Sequence, residues 1–266
     1  MKQNSKERVL ITGETGYIAR QLRLRLVCDG ISVHNISLRH SLPPPEELEA
    51  YSTIIHCAAL VHEKRRAKKE YYKINTELTR RLAINFKKSG GGLFVFLSTM
   101  AVYGQEGLLG SPRVIDKKTP KAPKGYYGHS KLLAEQALLK LESEHMRVAI
   151  LRPPIVYGPD CPGNYAKLFR LARTLPVFPM VRNQRSMLHI DNLCSYVSNL
   201  VHNKNSGIFH PQDTDYHCTS ELVRQLARDG GRRVYLSPAL GSLVVMLGTP
   251  QVQKAFGSLV YSKDLP

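Results

Sequence analysis

Tryptophan is absent from this 266-residue chain, acidic side chains are few, and long apolar runs are missing. The longest apolar stretch near the end, Leu243 to Leu247, falls far short of the roughly 20 residues a bilayer-spanning helix needs, so no membrane span is expected. Met1 to Arg8 is polar and basic and runs straight into Val9-Leu10-Ile11. It has no apolar h-region, so no secretory signal is expected and a cytoplasmic location is. Cysteine is sparse too. Cys28, Cys57, Cys161, Cys194 and Cys218 are scattered, odd in number and free of any C-x-x-C pair. That pattern suits free thiols in a reducing compartment better than a disulfide framework. The ten histidines do not join the cysteines at ligand spacing, so no metal is expected. Low-complexity tracts and internal repeats are also missing.

The scarcity of acid leaves 38 Lys and Arg against 21 Asp and Glu, a formal net charge of +17. The densest cluster is Glu63-Lys64-Arg65-Arg66-Ala67-Lys68-Lys69. It reads either as a solvated helix entrance or as part of a field that draws in anionic ligands. No zinc finger, RRM-type aromatic motif or other nucleic-acid module accompanies the charge, so nucleic acid is not an expected partner.

The first half alternates as βαβ units do. Val9 to Thr12 is a short apolar strand, broken at Gly13-Glu14-Thr15-Gly16. A helix carrying Ile18, Leu22, Leu24 and Leu26 follows and stops at Gly30. Strands follow at Ile31 to Ile36, Thr53 to Cys57, Leu93 to Ser98 and Arg147 to Leu151. Helices lie between them at Pro45 to Glu49, Glu70 to Lys88 and Tyr127 to Ser143. The second half is less regular, with helices near Tyr165 to Thr174, from Asp191, and at Ser220 to Arg228, and a strand at Arg233 to Leu236. The expected fold is α/β: a Rossmann-type doubly wound parallel sheet over residues 1–155. Residues 156–266 form mainly a smaller substrate-binding lobe, with part of the chain returning to the core.

Thr12-Gly13-Glu14-Thr15-Gly16-Tyr17-Ile18-Ala19 occupies the first strand-to-helix turn. There, glycines let the backbone approach a pyrophosphate and the helix N-terminus offers unpaired N–H groups. Ala19 stands at the third glycine position and still permits close helix–strand packing. An acid at the end of the second strand would favour NAD(H). This chain has Ser37-Leu38-Arg39-His40 there, with no carboxylate before Glu46. A serine followed by a cation suits a 2′-phosphate, so NADP(H) is expected over NAD(H), with Arg39 the reader.

Tyr127 and Lys131 are spaced i, i+4, on one helix face, so the ammonium can approach the phenol. A neighbouring positive charge lowers a phenol's pKa and makes it a usable acid or base near neutrality. Ser98-Thr99 ends the fourth strand, and carboxyl ends of strands face the ligand crevice in a doubly wound sheet. Thr99, Tyr127 and Lys131 are therefore expected to converge as the catalytic set.

With these motifs in order, the chain resembles the extended short-chain dehydrogenase/reductases, specifically the NAD-dependent epimerase/dehydratase family of sugar-nucleotide enzymes. The likeness covers nearly the whole chain. It continues through His56-Cys57-Ala58-Ala59, Asn75, Leu151-Arg152-Pro153-Pro154-Ile155-Val156-Tyr157-Gly158-Pro159 and His189-Ile190-Asp191-Asn192-Leu193. It implies cofactor binding by Gly13, Thr15, Gly16, Tyr17, Ile18, Ala58, Ala59, Asn75, Tyr127, Lys131 and Pro154. It also implies acid/base chemistry at Tyr127, a hydrogen bond from Thr99 to the reacting sugar oxygen, and a nucleotide-diphosphate grip by Asn164 and Arg185. Phe178 is expected either to hold the nucleobase or to sit in the core.

The resemblance is greatest to bacterial 4-epimerases and 4-keto reductases of surface-polysaccharide sugar synthesis. Three departures qualify it. Leu38 to Ser52 is short, so one edge strand is expected to be missing; the chain stops at Pro266, so a reduced C-terminal lobe is expected; and Val61 stands where classical 4-epimerases carry a lysine. The leading expectation is NADP(H)-dependent reduction of the C4 ketone of a UDP-4-keto-6-deoxy-hexosamine. The alternatives are a UDP-hexose or UDP-N-acetylhexosamine 4-epimerase with bound NAD, and a non-enzymatic dinucleotide sensor on the same fold. By analogy with relatives, a homodimer through the helices after the third and fourth strands is the expected assembly.

Overall fold

A computed structural model describes residues 7–61 and 67–266. Glu63 to Arg66 of the basic cluster lie outside the described residues. Six parallel strands form the central sheet: β1 (Arg8–Thr12), β2 (Ser32–Ile36), β3 (Thr53–His56), β4 (Gly92–Leu97), β6 (Met146–Leu151) and β10 (Gly207–Phe209). Their order across the sheet is β10-β6-β4-β3-β1-β2. The chain leaves β1 toward β2 and then returns to β3 on the other side. This makes the gap between the carboxyl ends of β1 and β3 the topological switch point, where open α/β sheets bind ligands. β2 is the edge strand on its side, as expected from the short stretch that follows it.

Both faces of the sheet are covered. On one face α1 (Tyr17–Cys28) and α7 (Ile190–Asn203) bury Val9, Ile11, Ile55, Val95 and Ala149. On the other, α2 (Pro45–Leu48), α4 (Leu78–Lys88) and α5 (Tyr126–Leu141) bury Leu10, Ile54, Phe94, Phe96 and Ile150. Coverage on both faces is why these strands read as near-continuous apolar runs. In α1 the buried stripe is Ala19, Leu22 and Leu26. Leu24, assigned to that stripe from the sequence, is 61% exposed because it falls two positions from either neighbour and so points away.

The helix after β3 is composite. α3 (Lys68–Tyr71) runs into a π-helical turn, Tyr72–Glu77, and then into α4. Beyond β6 lie β7 (Ile155–Tyr157), α6 (Asn164–Thr174), β8 (Val177–Pro179) and β9 (Met187–His189). After β10 come α8 (Thr219–Asp229), β11 (Tyr235–Ser237), α9 (Pro238–Leu247), α10 (Pro250–Phe256) and β12 (Leu259–Tyr261). The strand expected at Arg233 to Leu236 is thus shifted, and it pairs with β8 rather than with the central sheet. α6, β8, α8, β11 and α10 share their own hydrophobic cluster, with Ala172, Phe178, Val223, Leu226 and Phe256 buried in it. α7 and β10 return to the central sheet. β5 (Arg113–Ile115) pairs with β12.

Candidate active site

The glycine loop sits at the switch point. Gly13 has φ +87°, and a Cβ there would lie 2.9 Å from the Ala58 nitrogen. Only glycine satisfies both the backbone angle and the close approach of the β1 and β3 ends. Thr12 ties them further: its carbonyl accepts the Cys57 N–H at 3.3 Å, and its hydroxyl oxygen lies 3.4 Å from the Ala58 N–H. Gly16 caps α1 in an extended conformation with no side-chain hydrogen bond, so the first-turn N–H groups of this twelve-residue helix have no side-chain cap. Thr15 and Gly16 are exposed, Ala58 and Ala59 partly so. An uncapped helix start, a glycine cradle and an exposed loop fit the pyrophosphate of a dinucleotide. Tyr17 and Ile18 contribute differently from each other. The Tyr17 hydroxyl donates to the Pro159 carbonyl at 2.8 Å, joining the loop to the segment after β7, while Ile18 packs on the sheet core. Arg39 is exposed three residues beyond the end of β2.

Thr99 and Tyr127 meet. The Thr99 side chain caps the short 3-10 turn Met100–Tyr103, accepting the Ala101 N–H at 3.2 Å, and is hydrogen-bonded to the Tyr127 phenol. Burial pushes the Tyr127 phenol up to about 12, with the Thr99 hydrogen bond acting in the opposite direction. Lys131 corrects the sequence expectation. Its ammonium is 1% exposed and turned inward, donating to the Leu97 carbonyl at 2.7 Å and lying 4.4 Å from the centre of the Phe96 ring. Burial lowers its pKa to about 8, against upward pulls from Cys57 and Glu135. In this arrangement the lysine charge serves the end of β4, and the phenol is not depressed by it. Pro154 is buried, and the preceding Pro153 accepts the Met100 N–H at 3.0 Å, which fixes the turn carrying Thr99.

The sequence matches the NAD dependent epimerase/dehydratase family over residues 9–210. The chain belongs to that family. It is 30% identical over 246 residues to a UDP-glucose 4-epimerase of Vibrio cholerae, a match covering 82% of this chain and 74% of the relative. It is 24% identical to an Escherichia coli O157:H7 N-acetyl-alpha-D-glucosaminyl-diphospho-ditrans,octacis-undecaprenol 4-epimerase, over 86% of this chain and 74% of that one. Among solved structures, a dTDP-4-dehydrorhamnose reductase of Bacillus anthracis in complex with NADP aligns with a TM-score of 0.74 at 22% identity. That alignment covers 97% of this chain and 90% of the other.

Within this epimerase/dehydratase member, Asn75 works through other residues. It is fully buried in the π-helical turn, a feature often found at functional positions. Its amide accepts the Leu60 N–H at 2.7 Å and donates to the Leu60 carbonyl and the Ser130 hydroxyl, both at 3.0 Å. With both ends of the amide engaged, Asn75 ties the β3 loop to the Tyr127 helix.

Asn164 is exposed in the first turn of α6. Phe178 is 5% exposed, with its ring tilted against Phe256 at 5.9 Å, which is the core placement of the two expected for it. Arg185 is anchored on α10. Its Nη1 donates to the Lys254 and Ala255 carbonyls at 2.8 and 3.1 Å, satisfying the last turn of α10. Burial lowers its pKa.

Sequence reasoning missed a buried ion pair behind the site. Arg152 Nη2 lies 2.6 Å from Glu135 Oε2, with Glu135 also accepting from the Ser98 hydroxyl and Arg152 donating to the Tyr103 hydroxyl at 2.8 Å. These bonds hold both ends of the Thr99 turn. The signal was available, because Glu135 follows Lys131 by four residues on the buried helix face. A second carboxylate, Asp213, accepts from the His189 N–H, Asn192, the Tyr157 hydroxyl at 2.8 Å and His217 at 3.0 Å. These bonds hold its pKa well below the usual carboxylate range despite burial. It follows no local pattern, and the sequence offered no sign of it.

Proposed function

We propose that this family member reduces the C4 ketone of a UDP-4-keto-6-deoxy-hexosamine with NADP(H), in surface-polysaccharide sugar synthesis. The observation that carries the reading is the joined Thr99–Tyr127 pair at the carboxyl edge of the sheet, beside the uncapped glycine loop. When bound, reduced nicotinamide supplies the hydride. Tyr127, kept protonated by burial, donates its phenolic proton to the C4 oxygen as that oxygen gains charge. Thr99 holds the same oxygen by hydrogen bonding. In this reading Lys131, its pKa lowered to about 8, acts from behind the site by holding the Leu97 carbonyl at the end of β4, and with it the turn that carries Thr99. Gly13, Thr15, Gly16 and Ile18 cradle the pyrophosphate from the backbone, and Ala58 and Ala59 line the path of the adenosine.

The absence of a carboxylate after β2, together with exposed Arg39, supports NADP(H) over NAD(H). Asn164 is free to reach the sugar diphosphate. In this reading residues 1–155 hold the dinucleotide, 156–266 hold mainly the sugar nucleotide, and the α4 and α5 faces join two copies.

A second reading, 4-epimerisation with retained NAD, is favoured by the likeness to the Vibrio cholerae UDP-glucose 4-epimerase. It uses the same Thr99, Tyr127 and Lys131. Nicotinamide absorbance separates the two when purified protein is given a UDP-4-keto-6-deoxy-N-acetylhexosamine with NADPH or NADH in parallel. Stoichiometric consumption with NADPH preferred supports the reductase. No net consumption of either, with UDP-hexose interconverted by a retained cofactor, establishes the epimerase instead.

A further inference from the structure

From Val234 through Gln253 the chain carries no charged residue. This stretch includes β11 and α9; Val234 and Leu236 are buried, but most of α9 is not. Leu240 is 40% exposed, Leu243 48%, Met246 78% and Leu247 60%, while Gly241 is the only buried residue of α9. Gly241 rests on the Met180 carbonyl, so the helix lies flat across the end of β8 and turns its leucines and methionine outward. Tyr235, 65% exposed, and Met180, 38% exposed, extend the apolar surface from the helix.

Beside it is a cleft lined by Met180, Tyr235, Arg224, Arg228 and Arg233. Arg224 is paired with Glu221, whereas Arg228 and Arg233 form no salt bridge among the described residues. Apolar side chains, an interfacial tyrosine and unpaired arginines thus share one face of a protein whose net charge is +17. A second copy is a poor match, because a symmetric contact would bring the two arginine clusters together. α9 is about 15 Å long at 1.5 Å per residue, half the hydrocarbon thickness of a bilayer, so it can lie in a lipid surface but cannot cross one.

We propose that α9 and the arginine cleft beside it dock this protein on an anionic lipid bilayer. The apolar side chains enter the acyl boundary, and Arg228 and Arg233 meet lipid phosphates at the rim. The charge sign selects the leaflet composition, and the leucine–methionine face supplies the retention.

Sedimentation of the full chain with vesicles tests this directly. Phosphatidylcholine vesicles made anionic with phosphatidylglycerol should pull the protein down in low salt. Pure phosphatidylcholine should bind it at least tenfold less. The pair Leu243→Asp and Met246→Asp removes two exposed apolar anchors and should reduce binding by tenfold or more. Arg228→Gln with Arg233→Gln should cut binding roughly fivefold per positive charge removed, and raised salt should mimic it. Because all four side chains lie outside the hydrophobic clusters, unchanged urea midpoints are expected and confirm that the variants are folded. Equal sedimentation of the aspartate variant and the parent overturns the proposal, as does absence of sedimentation with phosphatidylglycerol vesicles. A dimer in free solution that the aspartate pair dissociates, without vesicle binding, also overturns it and makes the face a self-interface.

Discussion

Replacing Lys131 with methionine separates the cost of burying a charge from the use made of it. The ammonium is 1% exposed, and burial brings its pKa from 10.5 to about 8. At about 1.4 kcal/mol per pKa unit, keeping it charged in the folded state costs on the order of 3 kcal/mol. The folded value lies below the unfolded one. Between about pH 8 and 10.5 the unfolded chain therefore binds the extra proton, and stability from this group rises with pH. Below pH 8 both states hold the proton and the penalty is present in full. Lys131→Met lacks the penalty, but it also loses the hydrogen bond to the Leu97 carbonyl, worth about 1.5–3 kcal/mol for a charged donor. The two nearly cancel at pH 7, so the variant should match the parent there to within about 1–2 kcal/mol. Toward pH 10 the parent should gain on the variant by about 3 kcal/mol. Urea unfolding of both proteins at pH 7, 8.5 and 10 measures the difference. Parallel pH dependence in the two would refute the buried, depressed ammonium. Turnover at pH 7 should fall in the variant, because the end of β4 that leads into Thr99 loses its buried ammonium anchor while overall stability is kept.

Gly13→Ala should destabilise by about 2–5 kcal/mol, the sum of left-handed strain and a Cβ pressed on the Ala58 backbone, and should weaken dinucleotide binding with it. Urea midpoints and cofactor titration check both, and a neutral variant would contradict the switch-point geometry. Asn75→Ala leaves the buried Leu60 N–H and carbonyl unpaired and should cost about 2–4 kcal/mol, read by the same unfolding assay. Arg39→Ala should weaken NADPH by about tenfold to a hundredfold, as expected for loss of a charged hydrogen bond, and leave NADH nearly unchanged; equal effects on both remove Arg39 from the 2′-phosphate.

The alternation of apolar runs and amphipathic helices made the first five sheet strands legible: the inner ones, covered on both faces, are mostly apolar, and the edge strand β2 was marked by its place between Gly30 and the Pro43-Pro44-Pro45 turn. The glycine loop, Thr99 and the Tyr127 helix were legible because each sits at a strand end or helix start with a distinctive residue type. β10 was not, since Gly207-Ile208-Phe209 is three residues long and is placed only by its pairing with β6. The inward turn of Lys131 depends on Leu97, Phe96 and Glu135 together, which no i, i+4 rule contains. The contacts of Arg185 and Phe178 with α10 were not legible, because the sequence pattern did not announce that element.

Tyr127→Phe tests the central claim most directly, because it removes one oxygen from the Thr99–Tyr127 pair and leaves the packing of the ring. Cofactor binding and nicotinamide turnover are measured on the same preparation. Binding within a few-fold of the parent, with turnover lowered by about 10²–10⁴, is the predicted result. Turnover equal to the parent's would contradict the assignment of Tyr127 as the proton donor.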